Sequence, residues 1–312
     1  MRPIRSVDRF LFASSSTSPM TLVRVGWGAV TAVWALTLLP DIDPFLTTGS
    51  LRYDRPAPAG SWNPLQWLSW DGAPLLACLV LVVAAVATSL GLRTRLSAAV
   101  AVVCLIALQR TNTTILNSGD LLLRQIGIVV ALSPCGLLWS LDARRARRNG
   151  SAVPASPRAP WALRLLQLEI ALGYLLSAWA KFRGDTWRDG TALALALRIE
   201  DLQRVALPDW VFAQQGALAL LTAGTVAFEA TFFLLVWNRR LRPWVLGAGA
   251  LFHLGIDVFL DVGFFSIAMW VAYLAFVLPD AADRIVARFD PVGVGSDGDA
   301  PAAVALAVEP TE

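Results

Sequence analysis

A single lysine, Lys181, stands among 25 arginines and lies at the end of a long apolar run. The guanidinium group of arginine does not give up its proton in proteins, whereas a lysine amine in an apolar site can become neutral and act as a base. Lys181 is therefore the first candidate catalytic residue. The alternative is that its side chain only extends to the lipid headgroups, as lysines near the ends of membrane helices do.

Two further ionisable residues, His253 and Glu229, are predicted to lie deep in the membrane. Counting ~1.5 Å per helical residue from the ends of their apolar runs places them roughly 15 Å and 12 Å deep. Ionisable groups at such depth are functional candidates, so both join Lys181 as candidate catalytic residues. The alternative is a structural hydrogen bond between two helices. Asp257 follows His253 by one helical turn and is placed to share its network, but three such groups do not predict a metal site.

A polar stretch at residues 109–120 interrupts two apolar runs and is followed by Arg124. Its charged and amide side chains are expected near the same membrane boundary as Lys181, where they would line a pocket. The alternative is a set of arginine and aspartate pairs that closes the end of the bundle. The candidate substrate-binding residues are Arg110, Asn117, Asp120, Arg124, Trp187 and Asp257.

The composition predicts the kind of structure that positions these residues. Of the 312 residues, 56% are hydrophobic and only 16% are charged, and the mean hydropathy is +0.58. A spanning helix needs about 20 mostly apolar residues, and about eight segments qualify or nearly qualify. Only helices satisfy their own backbone groups in lipid without forming a barrel. We therefore expect an all-α, polytopic bundle of about eight transmembrane helices, at residues 21–39, 73–92, 96–108, 121–138, 161–180, 217–237, 244–259 and 262–278.

Arginine clusters orient this bundle, because short cytoplasmic loops hold an excess of basic residues. The clusters precede the first predicted helix, follow the last, and lie between helices 2 and 3, 4 and 5, and 6 and 7. All of them fall on one side, which predicts that both ends of the chain are cytoplasmic. The domains expected are a cytoplasmic segment at 1–20, a transmembrane domain at 21–279 and a cytoplasmic tail at 280–312, disordered from about 290. No cleaved signal peptide is expected.

Other features narrow the class of protein. Residues 191–206 alternate apolar and charged positions in a way that suits a helix on the membrane surface. The basic and acidic residues number 26 and 23, so no basic patch for nucleic acid is indicated. Three cysteines lie inside apolar runs, which predicts neither a disulfide framework nor a metal site.

Four stretches carry a resemblance to a known family. They are residues 8–12 (DRFLF) with 22–25 (LVRV); 117–120 (NSGD) with 132–134 (LSP) and 139–142 (WSLD); 177–182 (SAWAKF) with 185–192 (DTWRDGTA); and Glu229 with 237–240 (WNRR) and His253. Their order and spacing resemble the HTTM family, the membrane domain related to vitamin K-dependent gamma-carboxylase and also found in the sporulation-delaying-protein B family.

The resemblance implies a role for Lys181, which occupies the motif that holds the carboxylase's lysine base. That lysine deprotonates reduced vitamin K, whose reaction with oxygen leads to carboxylation of glutamate. By resemblance Lys181 would be a quinol base, with menaquinol or vitamin K hydroquinone as the cofactor and no metal. The carboxylase has a histidine in the region that matches 117–120, where this sequence has none. Whether lyase or oxidase chemistry of this kind occurs therefore stays open.

Three functional hypotheses follow. The leading one is a multi-pass protein of a bacterial cell membrane that uses a quinol to modify an exported peptide. The second is a non-catalytic membrane partner in the maturation of, or immunity to, an exported peptide. The third is a proton-linked transporter that uses Glu229, His253 and Asp257. The expected partners are membrane lipids and an exported peptide or a membrane protein, with no nucleic acid.

Overall fold

The computed structural model describes residues 2–47, 62–68, 70–151 and 158–292, and within them every regular element is a helix. The sequence prediction of an all-α fold is confirmed for this part of the chain. The α-helices are α1 (Arg2–Phe12), α2 (Ser18–Leu38), α3 (Ile42–Leu46), α4 (Ala73–Leu90), α5 (Thr94–Thr111), α6 (Ser118–Leu132), α7 (Leu141–Arg148), α8 (Trp161–Arg183), α9 (Asp185–Arg188), α10 (Ala192–Ala196), α11 (Asp209–Ala213), α12 (Gln215–Leu235), α13 (Arg242–Phe259), α14 (Phe265–Tyr273) and α15 (Pro279–Ala287).

Within the described part of the chain, five helical segments are long and apolar enough to cross a membrane: Ser18–Leu46, Ala73–Leu90, Thr94–Thr111, Trp161–Arg183 and Gln215–Leu235. A sixth arises if Phe265–Phe276 and Pro279–Ala287, which meet at 105°, form one broken span. Helices α6 and α13 coincide with two further predicted spans, but α6 has only 15 residues and α13 carries Arg242, His253 and Asp257. The multi-pass membrane class is confirmed; the count of eight and the orientation stay predictions.

The core forms around α2, which packs against α4, α6, α14 and α15. Trp27 of α2 is fully buried and its indole N–H donates to the carbonyl of Leu123 at 2.7 Å. Gly28 lets α4 approach closely, because a Cβ at this position would lie 2.6 Å from the carbonyl oxygen of Ala85. Small residues at such contacts are typical of membrane helix packing, where close approach replaces the hydrophobic effect.

The turn between α4 and α5 is held by Asp142 of α7. One carboxylate oxygen accepts from the backbone N–H of Arg93 at 2.8 Å, and the other accepts from the N–H of Thr94 at 2.8 Å and from its hydroxyl at 2.9 Å. Burial works to raise the pKa of Asp142, but these backbone and hydroxyl hydrogen bonds outweigh it and the pKa lies below its ordinary value. The carboxylate thus replaces hydrogen bonds that the first turn of α5 lacks.

The expected surface helix at 191–206 is not continuous. Only α10 and a single 3₁₀ turn at Glu200–Leu202 form there. The chain then lies antiparallel to the end of α13: the N–H of Arg204 donates to the carbonyl of Phe259 at 3.0 Å, and the N–H of Asp261 donates to the carbonyl of Leu202 at 2.7 Å. These two bonds satisfy backbone groups that a continuous helix at 191–206 would pair internally, which explains why the predicted helix is interrupted.

The C-terminal region begins in an ordered state. Asp290 is buried, accepts from the backbone N–H of Trp139 at 2.7 Å and pairs with Arg147 at 2.7 Å. The disorder predicted from about residue 290 stays a prediction. Residues 293–312 lie outside the described residues.

Candidate functional site

Lys181 and Glu229 are brought together by α8 and α12, which pack along one another. The Lys181 Nζ atom lies 2.9 Å from both carboxylate oxygens of Glu229, and its bond to Oε1 has hydrogen-bonding geometry. It also donates to the hydroxyl of Ser177, one turn earlier on α8, at 2.6 Å. Helix α8 ends at Arg183, and the short α9 turns Trp187 back so that its ring lies 5.1 Å from Nζ. The only lysine of the chain is therefore held from three directions.

The two side chains of this ion pair differ in their exposure. The side chain of Lys181 is 22% exposed, whereas that of Glu229 is 7% exposed. The buried Oε2 atom of Glu229 is close to Nζ but makes no hydrogen bond. A carboxylate oxygen has more than one lone pair, so Oε2, although in contact with the Lys181 ammonium, can still accept a hydroxyl donor. The pair thus offers an accessible cation and, behind it, an acceptor with a free lone pair.

A second polar group lies two turns before Lys181 on α8. The Tyr174 hydroxyl is 2.7 Å from Nε2 of His253 on α13, and it also hydrogen-bonds the hydroxyl of Tyr273 on α14. The backbone carbonyl of His253 accepts from Ser266 at 2.9 Å, while Nδ1 of His253 is buried without a hydrogen-bond partner. This arrangement, the Tyr–His–Tyr cluster (Tyr174, His253 and Tyr273), joins three helices inside the bundle.

The geometry requires close helix approach at Tyr273. A Cβ on Gly249 of α13 would lie 2.4 Å from the Tyr273 hydroxyl oxygen, so only glycine leaves room for that ring. Gly249 lies one turn before His253, and it therefore helps to set the distance between α13 and α14.

Aromatic rings fill the space between the ion pair and the Tyr–His–Tyr cluster. The Tyr174 ring stacks on Phe232 of α12 with centroids 4.1 Å apart, and Phe228, next to Glu229, meets Tyr174 edge-on at 5.8 Å. Phe252 extends this layer to within 5.3 Å of the Phe228 and His253 rings. The two polar groups are thus contiguous, although no direct bond between Glu229 and His253 is present. Each of the two residues instead bonds a side chain of α8: Glu229 bonds Lys181, and His253 bonds Tyr174.

Asn117 and Asp120 lie at the start of α6 and cap it. The Asn117 side chain accepts from the backbone N–H of Gly119 and Asp120 at 2.7 and 3.1 Å, and the Asp120 carboxylate accepts from the N–H of Asn117 at 2.9 Å. Asp120 is also bonded by the indole of Trp34 at 2.6 Å. Both line a cavity of about 340 Å³ together with Phe264, whose neighbour Phe265 lies 5.2 Å from the His253 ring.

The remaining candidate residues are dispersed. Arg110 donates to the backbone carbonyl of Trp62 at 3.0 Å. Arg124 is half-buried and makes no ion pair within the part of the chain that the structure describes. Asp257 lies 3.8 Å from Arg204, which also pairs with Asp261 at 3.2 Å. Asp257 thus contacts the 202–204 segment, and its sharing of the His253 network stays a prediction.

Tyr174, Tyr273 and Ser177 were missed by sequence reasoning, which searched for ionisable residues. The chain has only three tyrosines, and two of them lie in apolar helices. A buried tyrosine hydroxyl needs a hydrogen-bond partner, so two tyrosines in apolar helices could have indicated polar contacts inside the bundle. Among the described residues, no group of three or more His, Cys, Asp or Glu side chains could hold a metal ion.

Comparison with known proteins places this site in a family. A model described as the HTTM domain matches residues 13–280, which is most of the chain. The chain belongs to the HTTM family. No curated protein and no solved structure matches it. The ion pair and the Tyr–His–Tyr cluster lie within the matched HTTM region, whereas all of α1 precedes it.

Proposed function

We propose that this HTTM protein is a membrane enzyme in which Lys181 and Glu229 together act as the base toward a quinol, in a reaction that modifies an exported peptide. The observation that carries the proposal is the ion pair itself, in which an accessible amine lies 2.9 Å from both oxygens of a buried carboxylate. Paired titratable groups in different environments are typical of acid–base sites.

The pair, and not the amine alone, is the base in this proposal. In this ion pair Lys181 is an ammonium group, and an ammonium group has no lone pair that could accept a proton. A hydroxyl donor bound at the pair gives its proton to Oε2 of Glu229, and the Lys181 ammonium then stabilises the oxyanion that remains. One proton moves from the donor to the carboxylate, and the site becomes a cation next to a neutral acid.

The surrounding residues fit a quinol. The Trp187 ring lies 5.1 Å from the Lys181 amine. Phe228, next to Glu229 in sequence, meets the Tyr174 ring edge-on. Aromatic rings near the polar pair suit a ligand that is an aromatic ring with hydroxyl groups. Menaquinol or vitamin K hydroquinone has this chemistry and would supply reducing equivalents for a reaction with oxygen. Ser177 holds the Lys181 amine in place by the bond at 2.6 Å.

The membrane arrangement proposed for this enzyme is the one predicted from the sequence. It has eight spans in a bacterial cell membrane, with both ends in the cytoplasm. Support comes from helices α2, α4, α5, α6, α8, α12, α13 and α14, which coincide with the eight apolar segments. With this orientation, Lys181 opens toward the outer side, where an exported peptide would approach.

A second candidate function is that of a non-catalytic membrane partner for an exported peptide. It is favoured by the same ion pair, because a buried salt bridge between α8 and α12 also fixes the register of two helices. In a non-catalytic partner, Lys181 has no chemical role. The third hypothesis, a proton-linked transporter, would require Glu229 and the Tyr–His–Tyr cluster to carry protons.

The deciding experiment measures quinol binding and quinol-dependent oxygen consumption by the purified protein in nanodiscs. Wild type is compared with Lys181→Arg, Lys181→Ala and Glu229→Gln, and the exposed neighbour Arg183→Ala is the matched control. We expect activity in wild type and the control, and a loss of at least about a hundredfold in Glu229→Gln, which removes the acid–base group, and in Lys181→Ala, which removes the cation. Lys181→Arg keeps a cation and should lose less activity than Lys181→Ala. If wild type neither binds nor oxidises a quinol, the enzyme proposal fails and the partner hypothesis replaces it.

A further inference from the structure

A small pocket at the end of the bundle where α8 and α13 begin differs in its chemistry from the Lys181–Glu229 site. Its volume is about 160 Å³, far above the ~10–15 Å³ that one water molecule requires. It lies between the start of α8, the connection from α12 to α13 and the bend before α15. Its polar lining residues are Ser15, Arg164, Gln167, Arg239 and Arg242.

The charge of this pocket is positive and uncompensated. Three guanidinium groups line it and no carboxylate does. Arg242 is only 8% exposed, and the charges that act on it are those of Arg164 and Arg239. Among the described residues, the one ion pair made by any of the three joins Arg239 to Asp280 at 3.7 Å, with both side chains largely exposed. Such an exposed pair contributes little.

Arg164 and Arg242 also have N–H donors that are not well satisfied by hydrogen bonds. Arg164 bonds the Gln167 side chain at 2.8 Å and lies over the Phe10 ring at 4.7 Å, but its Nε atom is buried without a hydrogen-bond partner. Arg242 makes one good bond, to the carbonyl of Val236 at 2.8 Å, and two long ones of 3.5 Å. Buried cationic donors without an anion are costly, so the pocket favours a negatively charged occupant.

We propose that this arginine pocket binds a phosphate group, carried by the headgroup of an anionic phospholipid or supplied as free phosphate. The planar guanidinium fork matches phosphate oxygens, and basic pockets between membrane helices are known to hold anionic headgroups. Phe10 of α1 packs on Trp237 at 5.9 Å next to the pocket, which places the N-terminal helix at its edge. Arg164 precedes Lys181 by 17 residues on α8, about 25 Å along the helix, so this site is independent of the quinol proposal.

The test uses purified full-length protein in a neutral detergent and follows its thermal unfolding. The probes are inorganic phosphate, short-chain phosphatidylglycerol, and short-chain phosphatidylcholine as a zwitterionic reference. We expect phosphatidylglycerol or inorganic phosphate to raise the midpoint in a saturable manner, while phosphatidylcholine does not. A response to phosphatidylglycerol alone identifies a lipid headgroup, and a response to inorganic phosphate identifies a free anion as sufficient.

The variants are Arg239→Gln and Arg164→Gln, and the adjacent exposed Arg240→Gln, which does not line the pocket, is the matched control. Each pocket variant should weaken the apparent affinity by about fivefold, as loss of one arginine from an anionic surface contact does, and the control should not. Because Arg239 is exposed, its variant is expected to fold even if Arg164→Gln does not. Absence of any saturable shift in wild type, or equal affinity in Arg239→Gln and Arg240→Gln, would overturn the proposal.

Discussion

The Tyr174 hydroxyl lies 2.7 Å from Nε2 of His253 and also bonds Tyr273, so one oxygen atom ties α8 to both α13 and α14. The same helix, α8, carries Lys181 and thus meets α12 through Glu229. Every element of the proposed site is therefore positioned relative to α8. Polar contacts of this kind are satisfied inside the protein, because lipid offers them no alternative partner.

Loss of the Tyr174 hydroxyl should destabilise the bundle. Tyr174→Phe leaves Nε2 of His253 and the Tyr273 hydroxyl buried without their common partner, and an unsatisfied buried group costs about 1–3 kcal/mol. Tyr273→Phe removes one bond and should have a smaller effect. Thermal unfolding of both variants and of the double variant in detergent tests this, and a double-mutant cycle should show coupling of at least about 0.5 kcal/mol. Strictly additive effects would contradict the shared bond.

Glu229 and Lys181 should behave as a coupled pair in stability as well as in activity. Glu229→Gln leaves a partly buried ammonium without its counterion, and we expect a loss of about 1–2 kcal/mol, less than for a fully buried pair because Lys181 is 22% exposed. The double replacement Lys181→Met with Glu229→Leu should recover most of this stability but none of the quinol-dependent activity. Recovery of function in a peptide-maturation assay by the double variant would instead favour the non-catalytic partner.

The sequence allowed part of this site to be predicted. Lys181, Glu229 and His253 were identified because ionisable residues in apolar runs are rare. Their pairing was not, because depth was counted along each helix separately. Helical side chains point toward the N-terminus of their own helix, so Lys181 extends back along α8 and meets Glu229 well inside α12. The break at Gly184, which brings Trp187 over the amine, has no hydrophobic periodicity that would predict it.

Each of the eight predicted apolar segments overlaps a helix, but the helix ends differ from the predicted ones, and the count of eight spans stays a prediction. The Asn117–Asp120 capping box starts α6 three residues before the predicted segment, and Leu132 ends it six residues earlier than predicted. Such ends depend on side-chain bonds that a hydropathy window does not detect. The 105° bend before α15 likewise depends on Pro279 and on contacts with α2.

Gly249 should be sensitive to the smallest substitution. Gly249→Ala places a methyl group 2.4 Å from the Tyr273 hydroxyl oxygen, so α13 or α14 must shift, and overpacking of this kind costs about 1–3 kcal/mol. A methyl group added at Gly247, on the same helix, would meet nothing within 4 Å, and Gly247→Ala should be neutral or stabilising by up to about 1 kcal/mol. Thermal unfolding of the two variants side by side makes the comparison. Equal effects would mean that α13 and α14 are not in close contact at Tyr273.

Asp142 should give the protein an acid-sensitive contribution to stability. Because the pKa of its carboxyl is lower in the folded protein than its ordinary value near ~3.9, the folded state favours the ionised form. That contribution is fully present above the ordinary pKa and is lost as the pH falls through the lowered one. Asp142→Asn should therefore be less stable than wild type at pH 7, and the difference should shrink as the pH falls below about 4. Unfolding midpoints measured from pH 7 to pH 3 follow this, with Asp280→Asn as a control at an exposed carboxylate on the same end of the bundle. A wild-type advantage that persists undiminished at pH 3 would mean that shape, and not charge, is what Asp142 contributes to the Arg93–Thr94 turn.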